Sequence, residues 1–238
     1  MSNETIAAGG ASETTSAPSV SESKHIVSPQ SREYTGIIVQ TGEMLNTLAN
    51  DDELNALMTA AGYDADRVAD GTQLLQAAHA SYLSRQGAMA LQKSASLAMQ
   101  HAFNNALVTY RDLRAIAATA FDTSDRIALA VQGPFPPDRE AFAQNARVLY
   151  ETALSNPDYV ETFTANGVPQ ARLQAALDEL DAFQTALMEY EISRADALRA
   201  TTERDDAVTA LREWRSRFRR RARIATRTRR DLQVKLKL

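Results

Sequence analysis

The chain of 238 residues contains no cysteine. Disulfide staples, thiolate nucleophiles and thiolate metal sites are thereby excluded, which suits a reducing compartment. Glycine and proline number only nine and seven, and several of them cluster near the amino terminus and in one central stretch. Long runs are left without breakers, dominated by Ala, Leu, Gln, Glu and Arg, which favour helix. No apolar run approaches the roughly 20 residues of a membrane span. The amino terminus also lacks a basic segment followed by an apolar one, so a cytoplasmic location is expected.

Histidine is equally scarce, with three in all. His25 falls in the amino-terminal region, while His79 and His101 lie 22 positions apart on one helical stretch. A helical di-iron site needs Glu-x-x-His on a helix. The one such spacing, Glu22 to His25, has no scaffold. Nucleophile-elbow and glycine-rich phosphate-cradle patterns are missing too, since Gly9-Gly10 has no strand and helix behind it. Paired carboxylates such as Asp51-Asp52 and Asp205-Asp206 read as a helix start and a solvated face. No catalytic, cofactor or metal residue is assigned, and a non-enzymatic protein is expected.

Hydrophobic residues make up 44% of the chain, enough for a core. Residues 1–33, rich in Ser, Thr, Ala, Gly and Glu, read as a disordered tail. Helical spacing begins near Tyr34. Asn50 and Asp51 offer a cap for a short helix, Gly62 ends it in the left-handed conformation, and Asp64 caps the next. From Ala65 to about Phe121 there is no proline, and Gly87 sits in the interior. Val68, Leu75, Tyr82, Met89, Phe103 and Tyr110 share one heptad position, Ala78, Met99, Ala106, Leu113 and Ala120 the other. One long helix is predicted. Gly133, Pro134, Pro136 and Pro137 then break the pattern.

Beyond this linker at 134–137 the same order of elements recurs. Asn156-Pro157 begins a short helix, Gly167 takes the place of Gly62, and Pro169 starts a second long helix. Residues 58–62 match 163–167, and Arg67-Val68 matches Arg172-Leu173. Further on, Ala106-Leu107 and Tyr110-Arg111 align with Ala210-Leu211 and Trp214-Arg215, after one residue of slippage. Ile127, Leu129 and Val131 align with Leu232, Val234 and Leu236. A duplication, 34–133 and 138–238, explains this; chance likeness between Ala-rich helices is the rival. The fold expected is all-α: an elongated bundle or antiparallel coiled coil of two tandem helical repeats, each with two short helices and a long one. A homo-oligomer would cover leftover apolar surface. The long helices are poorest in large apolar residues at their middles, which reads as a thin crossing point or a fold-back.

Charge is unevenly placed. Residues 212–238 hold ten Arg and two Lys against Glu213 and Asp231, a net of +10, so the remainder carries −14 of the overall −4. Arg212, Arg215, Arg219 and Arg223 lie on one helical face, widened by Arg220 and Arg227. Such a face attracts nucleic-acid phosphate or anionic lipid, or pairs with acids of the same chain or of a protein partner. A structural or protein-interaction role leads, with nucleic-acid binding through this helix as the alternative. Trp214 and Phe218, four apart on the seam, read as core anchors with Tyr110, Gly62 and Gly167.

Trp214, Phe218, Ala222, Ile224 and Ala225, followed by Leu232 and Leu236, resemble the carboxyl-terminal signature of an uncharacterised bacterial all-helical family. That family usually has acids where this chain has Arg219, Arg220, Arg221, Arg227 and Arg229. The resemblance implies a helical fold and no particular activity.

Overall fold

The computed structural model describes residues 29–238. The expected tail therefore lies outside the described residues, except at its end, where Pro29 opens the first helix. Proline is preorganised for a first helical turn and loses no hydrogen bond there. Eight helices follow: α1 (Pro29–Ala49), α2 (Asp52–Ala60), α3 (Ala65–Ala120), α4 (Thr123–Ala128), α5 (Arg139–Ser155), α6 (Pro157–Ala165), α7 (Gln170–Ala225) and α8 (Arg230–Lys235).

Local chemistry sets the boundaries. The Asp51 carboxylate accepts from the Leu54 amide at 3.0 Å and Asp64 from Arg67 at 3.0 Å, while Asn156 caps α6 ahead of Pro157. Gly62 and Gly167 take φ of 86° and 83°, the left-handed cap that a side chain resists. Both long helices span 56 residues, about 84 Å at 1.5 Å per residue. They run unbroken through their polar middles and pack antiparallel, so the middles are a crossing and not a fold-back. Arg85 donates to the Thr201 hydroxyl across it at 3.3 Å. Arg204, buried there, pairs with Asp205 and stacks 4.8 Å over the Tyr34 ring.

Each long helix is preceded by one short helix and a nine-residue one and followed by a six-residue one. The third short helix, α4 or α8, is an addition to the two expected. An offset of 105 residues relates α2 to α6 and α3 to α7 throughout, and buried Ala106, Thr109, Leu113 and Ala117 correspond to Leu211, Trp214, Phe218 and Ala222. No slippage occurs within the long helices. The connection to the last helix is two residues longer in the second half, 226–229 against 121–122. Leu129 therefore corresponds to Leu236, both buried, and Ile127 to Val234, both exposed. Ala130 and Lys237, with φ of 54° and 51°, fall at the same offset. Aligning Leu129 with Val234 is thus out of register by two.

The core is divided between the two ends of the rod. One end joins α1, α2 and Tyr63 to Trp214, Phe218 and Ala222 of α7 and to Leu232 and Leu236 of α8, with Ala78, Val208 and Leu211 beside it. The other joins Met99–Ala117 of α3 and Leu129 to α5, to Phe163 of α6 and to Leu173–Phe183 of α7. Each end thus draws on residues from both sides of the 134–137 linker. The Pro-rich linker is pinned to the second end: the Arg114 guanidinium donates to the Gly133 and Pro134 carbonyls at 2.6 and 3.1 Å, and the Phe135 ring lies 5.7 Å from buried Tyr110.

Candidate functional site

The first end carries the arginine cluster, held out by the last turns of α7. Its base is aromatic. Trp214 stacks on Phe218 with centroids 5.2 Å apart, and Tyr63 meets Trp214 and Phe218 edge-on at 6.1 and 5.1 Å. The indole Nε1 donates to the Arg67 carbonyl at 3.1 Å. That ring lies flat on Gly71: a Cβ there would overlap Cζ2 and sit 2.5 Å from Cε2 and 2.6 Å from Cη2. Heptad reasoning passes over Gly71, whose signal emerges only once Trp214 is known to cross it. Both aromatics are buried, so neither can stack on a nucleobase.

The twelve cations of residues 212–238 divide by partner. Arg212 pairs with Glu33 at 2.6 Å, Lys237 with Glu43 at 2.7 Å, Lys235 with Asp51 at 2.6 Å and Arg229 with Glu53 at 3.0 Å, which ties α7 and α8 to α1 and α2. Lys235 and the Leu54 amide hold the Asp51 carboxyl below its usual range, and Asp231 and Glu53 raise Arg229. Arg215 donates to the Gln40 side-chain carbonyl and Arg219 to the Lys237 carbonyl at 3.0 Å. The Nε atoms of both are buried without a partner among the described residues, and burial, with the neighbouring Arg219 charge, lowers the pKa of Arg215. Arg217 reaches Glu213 of its own helix at 3.7 Å. Arg220, Arg221, Arg223, Arg227 and Arg230 make no ion pair among the described residues.

The six arginines singled out by the sequence therefore play two roles. Arg212, Arg215 and Arg219 face α1 and α8 and are engaged within the chain. Arg220, Arg223 and Arg227 point to solvent, and a shallow hollow of about 230 Å³ runs between the two sets. Among the unpaired arginines stands Ile224, 67% exposed. Charge is also segregated along the rod, since residues 32–84 and 204–238 hold fifteen basic and twelve acidic side chains, while 99–189 hold six and twelve.

The other end holds a small polar cluster. Buried Thr109 donates to Glu179 at 2.5 Å and accepts from Arg172 at 2.9 Å, and Arg172 pairs with Glu179 at 3.1 Å. The buried Tyr150 hydroxyl has no hydrogen-bond partner among the described residues, and burial, with Glu179 nearby, raises its pKa well above the ordinary tyrosine value. Thr109, Arg172 and Glu179 thus satisfy one another, while the Tyr150 hydroxyl stays outside their network. Among the described residues no three His, Asp or Glu side chains converge on a common point, and His79 and His101 stand apart on the exposed side of α3. No helix of the described residues is long and apolar enough to cross a membrane. No known protein family, curated protein or solved structure matches this chain.

Proposed function

We propose that the chain is a non-enzymatic interaction protein whose basic end docks onto an acidic surface of a protein partner. The observation that carries this is Ile224, exposed in the midst of Arg220, Arg221, Arg223 and Arg227, none of which has an ion pair among the described residues. Arginine around an apolar centre is the composition of a protein–protein contact. A single-strand nucleic-acid site calls instead for exposed aromatic platforms, and the aromatics here are buried. Arg212, Arg229, Lys235 and Lys237 are held by α1 and α2, which leaves the docking face to α7.

The test uses defined probes, a Glu-rich helical peptide bearing a leucine stripe and a DNA duplex, titrated at about 50 mM and about 200 mM salt. The peptide is expected to bind, with Arg220→Gln/Arg223→Gln/Arg227→Gln removing the salt-sensitive part of the affinity and Ile224→Ala the remainder. Duplex binding that falls steeply with salt and ignores Ile224→Ala would move the assignment to nucleic acid. Binding of neither probe refutes both readings.

A further inference from the structure

The exposed face of α3 at the middle of the rod has a composition unlike its counterpart. Residues 71–111 contain no acidic side chain, and between Arg85 and Arg111 the sole formal charge is Lys93. The equivalent positions of α7, residues 176–216, hold ten acids. The two stretches correspond position by position at the 105-residue offset, so the difference lies in the side chains and not in the helix register. On α3, Leu83 is 51%, Leu91 69% and Leu97 61% exposed.

These residues are ordered about one point. Counting outward from Ala90, Leu83 and Leu97 lie seven positions away, His79 and His101 eleven, and Gln76 and Asn104 fourteen. All seven are exposed, on the side of α3 turned away from the seam that holds Ala78 and Met99. Three pairs that read alike in both directions are what an antiparallel helix pair calls for, because a two-fold axis matches each residue with its mirror position; nearer the axis Gln86 falls opposite Ser94 and Gly87 opposite Lys93. We propose that a second copy of this chain covers this face, α3 against α3, with the axis at Ala90. Leu83 then packs on Leu97 of the other copy, the two Ala90 residues meet at the axis, and the His and amide pairs close the ends. An acid-free face lets copies approach without like-charge repulsion, whereas the acidic face of α7 opposes it.

The length from Gln76 to Asn104 is about 42 Å and a helix is about 10 Å wide, so two copies bury on the order of 800 Å². Stable interfaces bury about 1,200–2,000 Å², and the association is accordingly a reversible, concentration-dependent dimer. The contact is separate from the basic end and stands or falls without it.

Absence of cysteine makes the register directly readable. Under mild oxidation of the full chain, Ala90→Cys is expected to form a disulfide dimer about tenfold faster than Met188→Cys, an exposed control on α7. Leu83→Cys mixed with Leu97→Cys should cross-link faster than either alone. Light scattering should show a mass rising with concentration toward twice the chain, and Leu83→Asp/Leu97→Asp should hold it at one chain with an unchanged helical circular-dichroism spectrum. A mass of one chain throughout, or Ala90→Cys no faster than the control, overturns the dimer. Self-cross-linking of Leu83→Cys and Leu97→Cys without mixed product overturns its antiparallel register.

Discussion

Two helical glycines give opposite answers to the same substitution. Alanine in an exposed helix interior is favoured over glycine by about 1 kcal/mol. At Gly36 of α1 an alanine methyl would meet nothing within 4 Å, so Gly36→Ala is expected to stabilise by about 0.5–1 kcal/mol. Gly71 carries the same helical gain, but its methyl would press on three carbons of an indole fixed by a hydrogen bond and by two aromatic neighbours. Overpacking of this kind costs about 1–3 kcal/mol, and displacing Trp214 forfeits its bond to the Arg67 carbonyl, about 1 kcal/mol more. The net expectation for Gly71→Ala is a loss of about 2 kcal/mol, or roughly 4–8 °C in melting temperature for a chain of this size. Circular dichroism is the proper probe, since the substitution alters the surroundings of the single tryptophan. In a Trp214→Phe background both the overlap and the indole hydrogen bond are gone, so the loss of about 2 kcal/mol should disappear and leave at most the helical gain of about 1 kcal/mol. A Gly71→Ala protein melting at or above the parent refutes the packing argument.

Ala130 holds a left-handed backbone at φ 54°, so Ala130→Gly should stabilise by about 0.5 kcal/mol after the entropic cost of glycine, read by urea unfolding. Gly62→Ala and Gly167→Ala should each destabilise by about 1 kcal/mol in the same assay. The Asp51, Asp122 and Asp231 carboxyls lie below the unfolded value of 3.8, held there by Lys235 and the Leu54 amide, by the Asp125 amide and Ser124, and by Arg229. Unfolding therefore takes up protons at these sites, and their contribution is full above about pH 5 and lost as pH falls through the folded values. Melting temperature should be flat from neutrality to about pH 5 and drop below it, less steeply in Asp51→Asn. Phe183→Ala excavates the end distant from Trp214 and should cost about 3–5 kcal/mol. Its circular-dichroism transition should shift to lower urea more than its tryptophan-fluorescence transition, and coincident transitions would show that the two ends unfold as one.

Much of the architecture is legible in the sequence because caps and periodicity are local. Asp51, Asp64, Gly62 and Gly167 announce helix ends through the chemistry of their own neighbours, and the seams of Leu, Ala and aromatics follow from 3.6-residue periodicity. What escapes is nonlocal. Val234 and Leu236 are equally hydrophobic, and only the two-residue-longer connection before α8 decides which one is buried. Met89 keeps the heptad position yet is exposed, because at the crossing α3 has α7 alone to pack against. Gly71 and Trp214 sit on different helices, so their fit waits on the antiparallel register. The arginine cluster is visible as a charge count, but its division into cations engaged with Glu33, Glu43, Asp51 and Glu53 and cations left free depends on where α1 and α2 come to rest.

The 105-residue correspondence also supplies an internal control. Positions related by this offset hold corresponding places along the two long helices, so a difference between exposed pairs is not set by the helix register. Buried pairs such as Ala117 with Ala222 and Leu129 with Leu236 agree in character, as packing requires. Surface pairs do not. Residues 107–131, the counterpart of the basic end, carry three arginines and three aspartates and are neutral, against +10 for residues 212–238. Half of that excess is met by no acid within the described chain, and like charges crowded on one helix destabilise it. A cost borne at one end and avoided at its twin is what the proposed docking of the basic end would account for.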